Sequence, residues 1–61
     1  MESRFYEYKG VTVYTYIYGC FLFYAEKDKY GLKHGPWKRM NFCNTNEAEQ
    51  FINNNLNTFC W

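Results

Sequence analysis

The sequence predicts an α+β domain in which a three- or four-stranded antiparallel β-meander packs one C-terminal α-helix on one face. Three observations predict it. Residues 11–26 alternate with a period of two, apolar residues recur at helical spacing from Ala48 onward, and turn-forming residues separate these segments. The 61 residues are enough for a single domain, residues 1–61, with a small core.

The first two strands are predicted on either side of a glycine. Residues 4–9 are predicted as a short strand, and Lys9–Gly10 as either a tight turn or a bulge. Residues 11–18 have the clearest strand pattern. One set of alternating side chains is mostly β-branched, Val11, Val13, Thr15 and Ile17, and the other is rich in tyrosine, Thr12, Tyr14, Tyr16 and Tyr18.

The next segments complete the predicted sheet. After a break at Gly19, residues 20–26 alternate again, and both of their faces are apolar. Residues 27–36 contain several turn-forming residues and are predicted as a loop or an extended hairpin tip. Residues 37–43 are predicted as the last strand, with Lys38, Met40 and Phe42 on one face.

A helix is predicted from a change of period. Its apolar stripe consists of Ala48, Phe51, Ile52, Leu56 and Phe59. Asn44 and Glu47 have the spacing of a capping box, and Thr45 is an alternative N-cap. Cys60 and Trp61 are predicted to form a tail.

Aromatic residues are unusually frequent, with seven Tyr, six Phe and two Trp in 61 residues. A domain of this size cannot enclose all of them, because each ring needs roughly 150–250 Å² of cover. We expect the helix to cover Val11, Val13, Ile17, Phe21, Phe23, Met40 and Phe42. The opposite face would then expose Tyr14, Tyr16, Tyr18, Leu22, Tyr24 and Trp37, which together with Arg39 are predicted as a protein interface. The alternative is that the tyrosine hydroxyls simply make this face tolerable in water.

The sequence does not favour catalysis, a cofactor or a metal site. The single histidine, His34, has no serine or aspartate context of a catalytic triad, and a glycine-rich phosphate loop is missing. The three cysteines are widely spaced, which is typical of reduced thiols rather than of zinc ligands or disulfides. The uncharged residues 10–25 are too short and too rich in Tyr and Thr for a membrane span.

Nucleic-acid binding is the alternative function. Residues 27–39 contain five cations against Asp28, a net charge of +4. Within them Lys33, His34, Lys38 and Arg39 surround Trp37 and are candidate contacts for phosphates or a DNA groove. The other interpretation is a solvated hairpin tip whose lysines prevent aggregation.

The junction from Phe42 through Thr45, Glu47 and Ala48 to Phe51–Ile52 resembles the strand-to-helix junction of two groups of small sheet-plus-helix modules. One group is the AP2-like DNA-binding domains, and this resemblance implies that Trp37 and Arg39 contact DNA. The other is the tiny bacteriophage proteins of the anti-CRISPR and anti-defence type, which typically bind a host protein, often as dimers. Nearly half of the residues have AT-rich codons, as in many phage genomes. We therefore expect a non-enzymatic, phage-encoded homodimer in the host cytoplasm that inhibits a host defence or regulatory protein by occlusion.

Overall fold

The fold consists of an antiparallel meander with one helix on it, as predicted. The computed structural model describes residues 4–61. Strands β1 (Arg4–Tyr8), β2 (Val11–Tyr16), β3 (Gly19–Glu26) and β4 (Lys38–Phe42) lie side by side in chain order. Helix α1 (Thr45–Asn55) and a two-residue strand β5 (Phe59–Cys60) follow. The described residues are therefore α+β, with four meander strands rather than three.

Two tight turns determine which residues lie opposite each other in the sheet. Lys9 and Gly10 both have positive φ, 52° and 82°, and they join Tyr8 to its partner Val11. Positive φ at both central residues is the requirement of a type I′ hairpin turn, so this pair is a tight turn and not a bulge. Between β2 and β3, Ile17 and Tyr18 form a second two-residue connection.

The β2–β3 connection sits tightly against the end of β4. Gly19 has φ 147°, and a Cβ atom at this position would collide with the carbonyl oxygen of Phe42. Only glycine fits here, because both the backbone conformation and the available space exclude a side chain. Gly19 thereby holds the start of β3 against the segment that leads into the helix.

The core lies between α1 and one face of the sheet. Its buried side chains come from β2, β3 and α1 and are Val11, Val13, Cys20, Leu22, Tyr24, Ala48 and Ile52. Tyr6, Tyr8, Met40 and Phe42 pack around them from β1 and β4. The predicted contributions of β2 and β4 to this face are confirmed for Val11, Val13, Met40 and Phe42.

The prediction for β3 is wrong, because its two faces are exchanged. Tyr14 lies directly opposite Phe21 across the two-residue turn, and directly opposed residues of an antiparallel pair share a face. Phe21 and Phe23 therefore lie with Tyr14 on the face away from the helix, whereas Leu22 is fully buried beneath the helix. Ile17, also predicted beneath the helix, is in the turn and is 68% exposed.

Residues 27–37 form an extended hairpin tip, one of the two predicted forms. The backbone continues from β3 through a Lys27–His34 bridge and a hydrogen bond from Gly35 N to the Glu26 carbonyl. At the tip, Asp28 Oδ1 accepts hydrogen bonds from the backbone amides of Tyr30 and Leu32. The carboxylate thus organises the turn, as Asp does in many tight turns.

The helix begins where the capping pattern predicts. Asn44 is the N-cap, and its side-chain oxygen accepts a 3.0 Å hydrogen bond from Glu47 N. The Glu47 carboxylate reaches back to the amide of Cys43, one residue earlier than in the usual capping box. Thr45, the alternative, is the first helical residue.

The last residues are not the predicted tail. The helix ends at Asn55, and Phe59–Cys60 then pairs with Ala25 and Glu26 of β3. The Trp61 indole donates a 3.1 Å hydrogen bond to the Leu56 carbonyl. Its ring packs in an aromatic cluster with Tyr24, Phe51 and Phe59. This cluster closes the core at the end of the sheet where β2 no longer pairs with β3.

Candidate protein-binding face

The sheet face opposite α1 carries a continuous set of aromatic rings. We call it the open aromatic face; it consists of Phe5, Tyr14, Tyr16, Phe21 and Phe23. Tyr14 stacks on Phe21 with ring centroids 5.1 Å apart, and Phe23 is in edge contact with both rings at 5.6–5.7 Å. Phe5 and Tyr16 extend the set at either side. Phe5 is 68% exposed and Phe23 is 44% exposed, so water reaches the face although its rings support one another.

Strand register is what brings these rings together. Phe5 is paired with Tyr14, and Tyr14 with Phe21, so three aromatic residues form one row across β1, β2 and β3. Aromatic pairs at directly opposed positions are favourable cross-strand neighbours. The two hairpin turns therefore set the positions of these rings relative to one another.

Two charged side chains belong to the same face at opposite edges of the sheet. Arg39 on β4 places its guanidinium carbon 3.9 Å from the centroid of the Phe21 ring, and its Nε donates to the Asn41 side chain. A guanidinium over an aromatic ring is an attractive arrangement that leaves its outer N–H groups free for a partner. Glu7 on β1 is exposed and alternates in phase with Phe5.

The structure places some of the predicted interface residues together and removes others. Tyr14, Tyr16 and Arg39 lie on the face away from the helix, whereas Trp37 lies just before β4, is half exposed and packs on His34 of the hairpin tip. Tyr18 is exposed in the β2–β3 turn, at the margin of the face and 6.2 Å from the Tyr16 ring.

Two predicted interface residues are buried in the core and cannot contact a partner. Leu22 has no exposed surface, and Tyr24 is 9% exposed beneath α1. The exchanged faces of β3 explain both errors. Phe5, Phe21 and Phe23 take part in the face although they were not predicted there. Phe21 could have been found from the length of the turn. A two-residue turn after Tyr16 places Phe21 directly opposite Tyr14.

The predicted basic segment does not present one surface. Lys38 and Arg39 are consecutive strand residues, so their side chains point to opposite faces of the sheet. Lys38 pairs with Glu26 at 3.5 Å, in an exposed ion pair. Lys33 and His34 lie in the hairpin tip, where His34 packs against Trp37 at 5.4 Å. The four candidate residues are therefore divided among the tip and two opposite faces.

A shallow pocket of about 150 Å³ opens beside the open aromatic face. It lies where β2 and β3 separate, and it is lined by Gly10, Val11, Thr12, Tyr14, Phe23 and Trp61. Its lining offers one hydroxyl besides the Tyr14 phenol and no charged side chain. This space fits the tip of a partner's side chain better than a drug-sized ligand, for which typical sites measure roughly 300–1,000 Å³.

Two titratable groups beneath the helix, Tyr6 and Cys20, form hydrogen bonds within the fold. The Tyr6 hydroxyl donates a 2.9 Å hydrogen bond to Glu49, and burial together with this carboxylate raises the pKa of Tyr6 to about 12. Burial also raises the pKa of the Cys20 thiol, which donates to the Asn44 carbonyl. All three cysteines are free thiols, and within residues 4–61 no group of three His, Cys, Asp or Glu side chains has a metal-binding arrangement.

Because comparisons with known proteins give no match, the proposal for function is based on the fold and on the open aromatic face. No protein-family model, curated protein or solved structure matches this chain. Across residues 4–61, α1 is the one helix, and it is neither long nor apolar enough to cross a membrane.

Proposed function

We propose that this protein is a non-catalytic protein-binding module that acts by occluding a surface of its partner. The observation that carries the proposal is the open aromatic face. Its five rings are in continuous contact, yet the helix packs on the other side of the sheet. Contiguous apolar patches of this kind are uncommon on monomers and mark interaction sites.

The composition of the face supports a protein partner. Its rings contact one another in a preformed arrangement, so binding orders few side chains and costs little conformational entropy. Arg39 is held over Phe21 and by Asn41, at the edge of the aromatic centre. Tyr, Trp and Arg are the residues that most often dominate the binding energy of protein interfaces.

The proposed role is inhibition of a host defence or regulatory protein by a phage-encoded chain. The resemblance in size and composition to tiny phage inhibitors suggests this role, and a bacterial lysate is the first place to seek the partner. Occlusion needs only a stable surface that is complementary to the partner, and it needs no reaction chemistry. A small sheet with a preformed face supplies such a surface.

The test is affinity capture from a bacterial lysate, with and without nuclease, using three forms of the protein. The face variant is F5S/F23S, which removes two exposed rings. The matched control is Y30S/L32S, because these two side chains are 70% and 82% exposed at the hairpin tip. Retained proteins are identified by mass spectrometry, and circular dichroism confirms that each variant is folded.

A discrete protein that resists nuclease, is lost with F5S/F23S and is retained with Y30S/L32S supports the proposal. Equal retention by F5S/F23S contradicts the assignment of the face. Capture that disappears with nuclease favours the alternative, nucleic-acid binding through Lys33, His34, Lys38 and Arg39, and such binding weakens steeply as salt rises. The division of these residues between opposite faces argues against that alternative.

A further inference from the structure

The charges on the face away from the helix lie in a row that crosses the sheet. Glu7 on β1 pairs with Thr12 on β2, and Phe23 on β3 pairs with Arg39 on β4. The β2–β3 pairing ends at Tyr14–Phe21, and two residues further on Thr12 and Phe23 both line the pocket between the separated strands. The row therefore consists of the Glu7–Thr12 pair, the pocket and the Phe23–Arg39 pair, with an anion at one edge and a cation at the other.

A row with opposite charges at its two ends is complementary to itself. Consider two copies stacked face to face, with a two-fold axis between the two sheets that is parallel to the strands and level with the gap between β2 and β3. This axis brings the β1 edge of one copy over the β4 edge of the other. The same rotation sets Glu7 against the partner's Arg39, and it does so twice because the interface is symmetric. In the neighbouring row it sets Tyr14 against the partner's Phe21.

We propose that the open aromatic face binds a second copy of this chain, sheet against sheet, with two reciprocal Glu7–Arg39 ion pairs at its edges. The inference rests on the proposed function, in that the face must be a protein interface. Sheets that pack face to face lie about 10 Å apart with strands roughly 30° from parallel. The long side chains of Glu and Arg span such a gap at its edges, while the rings fill the centre.

The exposed area is sufficient for this partner. Phe5 and Phe23 are 68% and 44% exposed. With about 200 Å² per ring, they and the partly exposed rings between them offer roughly 300–400 Å² of aromatic surface per copy, to which the exposed side chains of Glu7 and Arg39 add. A specific interface needs about 1,000 Å² in total from both partners. In such a dimer each copy covers the open aromatic face of the other, so a host protein that binds this face competes with the second copy.

The test is a reciprocal charge exchange on the purified protein. E7R or R39E alone replaces both attractive pairs with like-charge pairs, and we expect the dimer Kd to rise about tenfold or more. The double variant E7R/R39E restores opposite charges and should recover dimerisation. K29E, an equal charge reversal at the hairpin tip, is the matched control. Sedimentation equilibrium over a range of protein concentrations measures the Kd, and circular dichroism confirms folding.

The double variant decides the outcome. Recovery in E7R/R39E supports the reciprocal pairing, because misfolding of a single variant would not be repaired by a second charge reversal. A wild-type protein of 7.5 kDa at all concentrations overturns the dimer, as does a dimer that neither reversal weakens or that the double variant fails to restore. If the dimer fails while F5S/F23S still abolishes capture, the face remains a protein interface and only the identity of its occupant is wrong. If F5S/F23S also captures normally, the proposed function fails as well.

Discussion

Adjacent positions on β3 provide the sharpest check of the sheet orientation. Leu22 is fully buried beneath α1, and its neighbour Phe23 is 44% exposed on the opposite face. Threonine is common in strands, so Leu22→Thr and Phe23→Thr both introduce a residue that suits a strand, at adjacent positions on opposite faces of the sheet. The difference between the two variants therefore reports which face the helix covers.

The structure predicts a large difference in the free energy of unfolding. L22T leaves a cavity and buries a hydroxyl next to apolar neighbours, which together cost about 4 kcal/mol. F23T loses only the ring contacts with Tyr14 and Phe21 and leaves its hydroxyl in water, at a cost of about 1 kcal/mol. A domain of 61 residues has a total stability of only about 3–9 kcal/mol, so L22T should lose between nearly half and all of it.

Urea unfolding followed by far-UV circular dichroism measures both values by linear extrapolation. The experiment is done at low protein concentration, since a dimer that covers Phe23 would add a concentration-dependent contribution. A loss in F23T equal to or larger than that in L22T would refute the orientation and restore the one expected from alternation.

Three further outcomes test the ends of the fold and its titration. Trp61→Ala should lower the melting temperature by several degrees, because the indole is packed and hydrogen-bonded; an unchanged melting curve would mean that it is a free tail. Asn44→Ala should destabilise by about 1 kcal/mol in urea unfolding, and Asn44→Asp should retain most of the cap; equal losses in both would contradict the capping role. The pKa of Tyr6 is raised from 10.0 to about 12, so its contribution to stability is present below pH 10 and is lost as the pH rises toward 12. Stability curves of Tyr6→Phe should be shallower than wild type in that window, and identical slopes would contradict the assignment.

Much of the fold is predictable from patterns that extend over several turns or residues. The alternation along β2 predicts both the strand and its buried face, because Val11 and Val13 are β-branched and Tyr14 on the other face is aromatic. The helix followed from the spacing of Ala48 and Ile52 and from its cap at Asn44. These signals are long enough to define both the element and the face that it buries.

The remaining features depend on relations between segments. In β3 both alternating sets are apolar, so periodicity defines a strand but not its phase, and a shift of one residue exchanges the two faces. The two-residue turn at Ile17–Tyr18 determines which residues of β3 face the helix. The residues of this turn do not by themselves indicate that it has two residues. Strand β5 has only two residues, Phe59 and Cys60, and exists because β2 leaves the edge of β3 free there.

The same limits explain the candidate face. The sequence predicts the face of Tyr14, Tyr16 and Arg39 correctly, because β2 and β4 have two distinct faces. The errors at Leu22 and Tyr24 came from the single strand whose faces look alike. The Glu7–Arg39 row could not be seen in the sequence, since it requires the register of four strands at once.

The position of β1 has a consequence for how the molecule opens. Within residues 4–61, β3 pairs with β2, β4 and β5 and packs beneath α1, whereas the backbone of β1 pairs with β2 alone and its Tyr6 and Tyr8 side chains hydrogen-bond to α1. Backbone amides of β3 should therefore exchange with deuterium only through global unfolding, and those at the outer edge of β1 through a cheaper local opening. Phe5 and Glu7 belong to β1, so each brief detachment of that strand removes one edge of the open aromatic face and withdraws Tyr6 and Tyr8 from α1, while β2, β3, β4 and α1 stay folded. Binding at this face would slow exchange in β1 first.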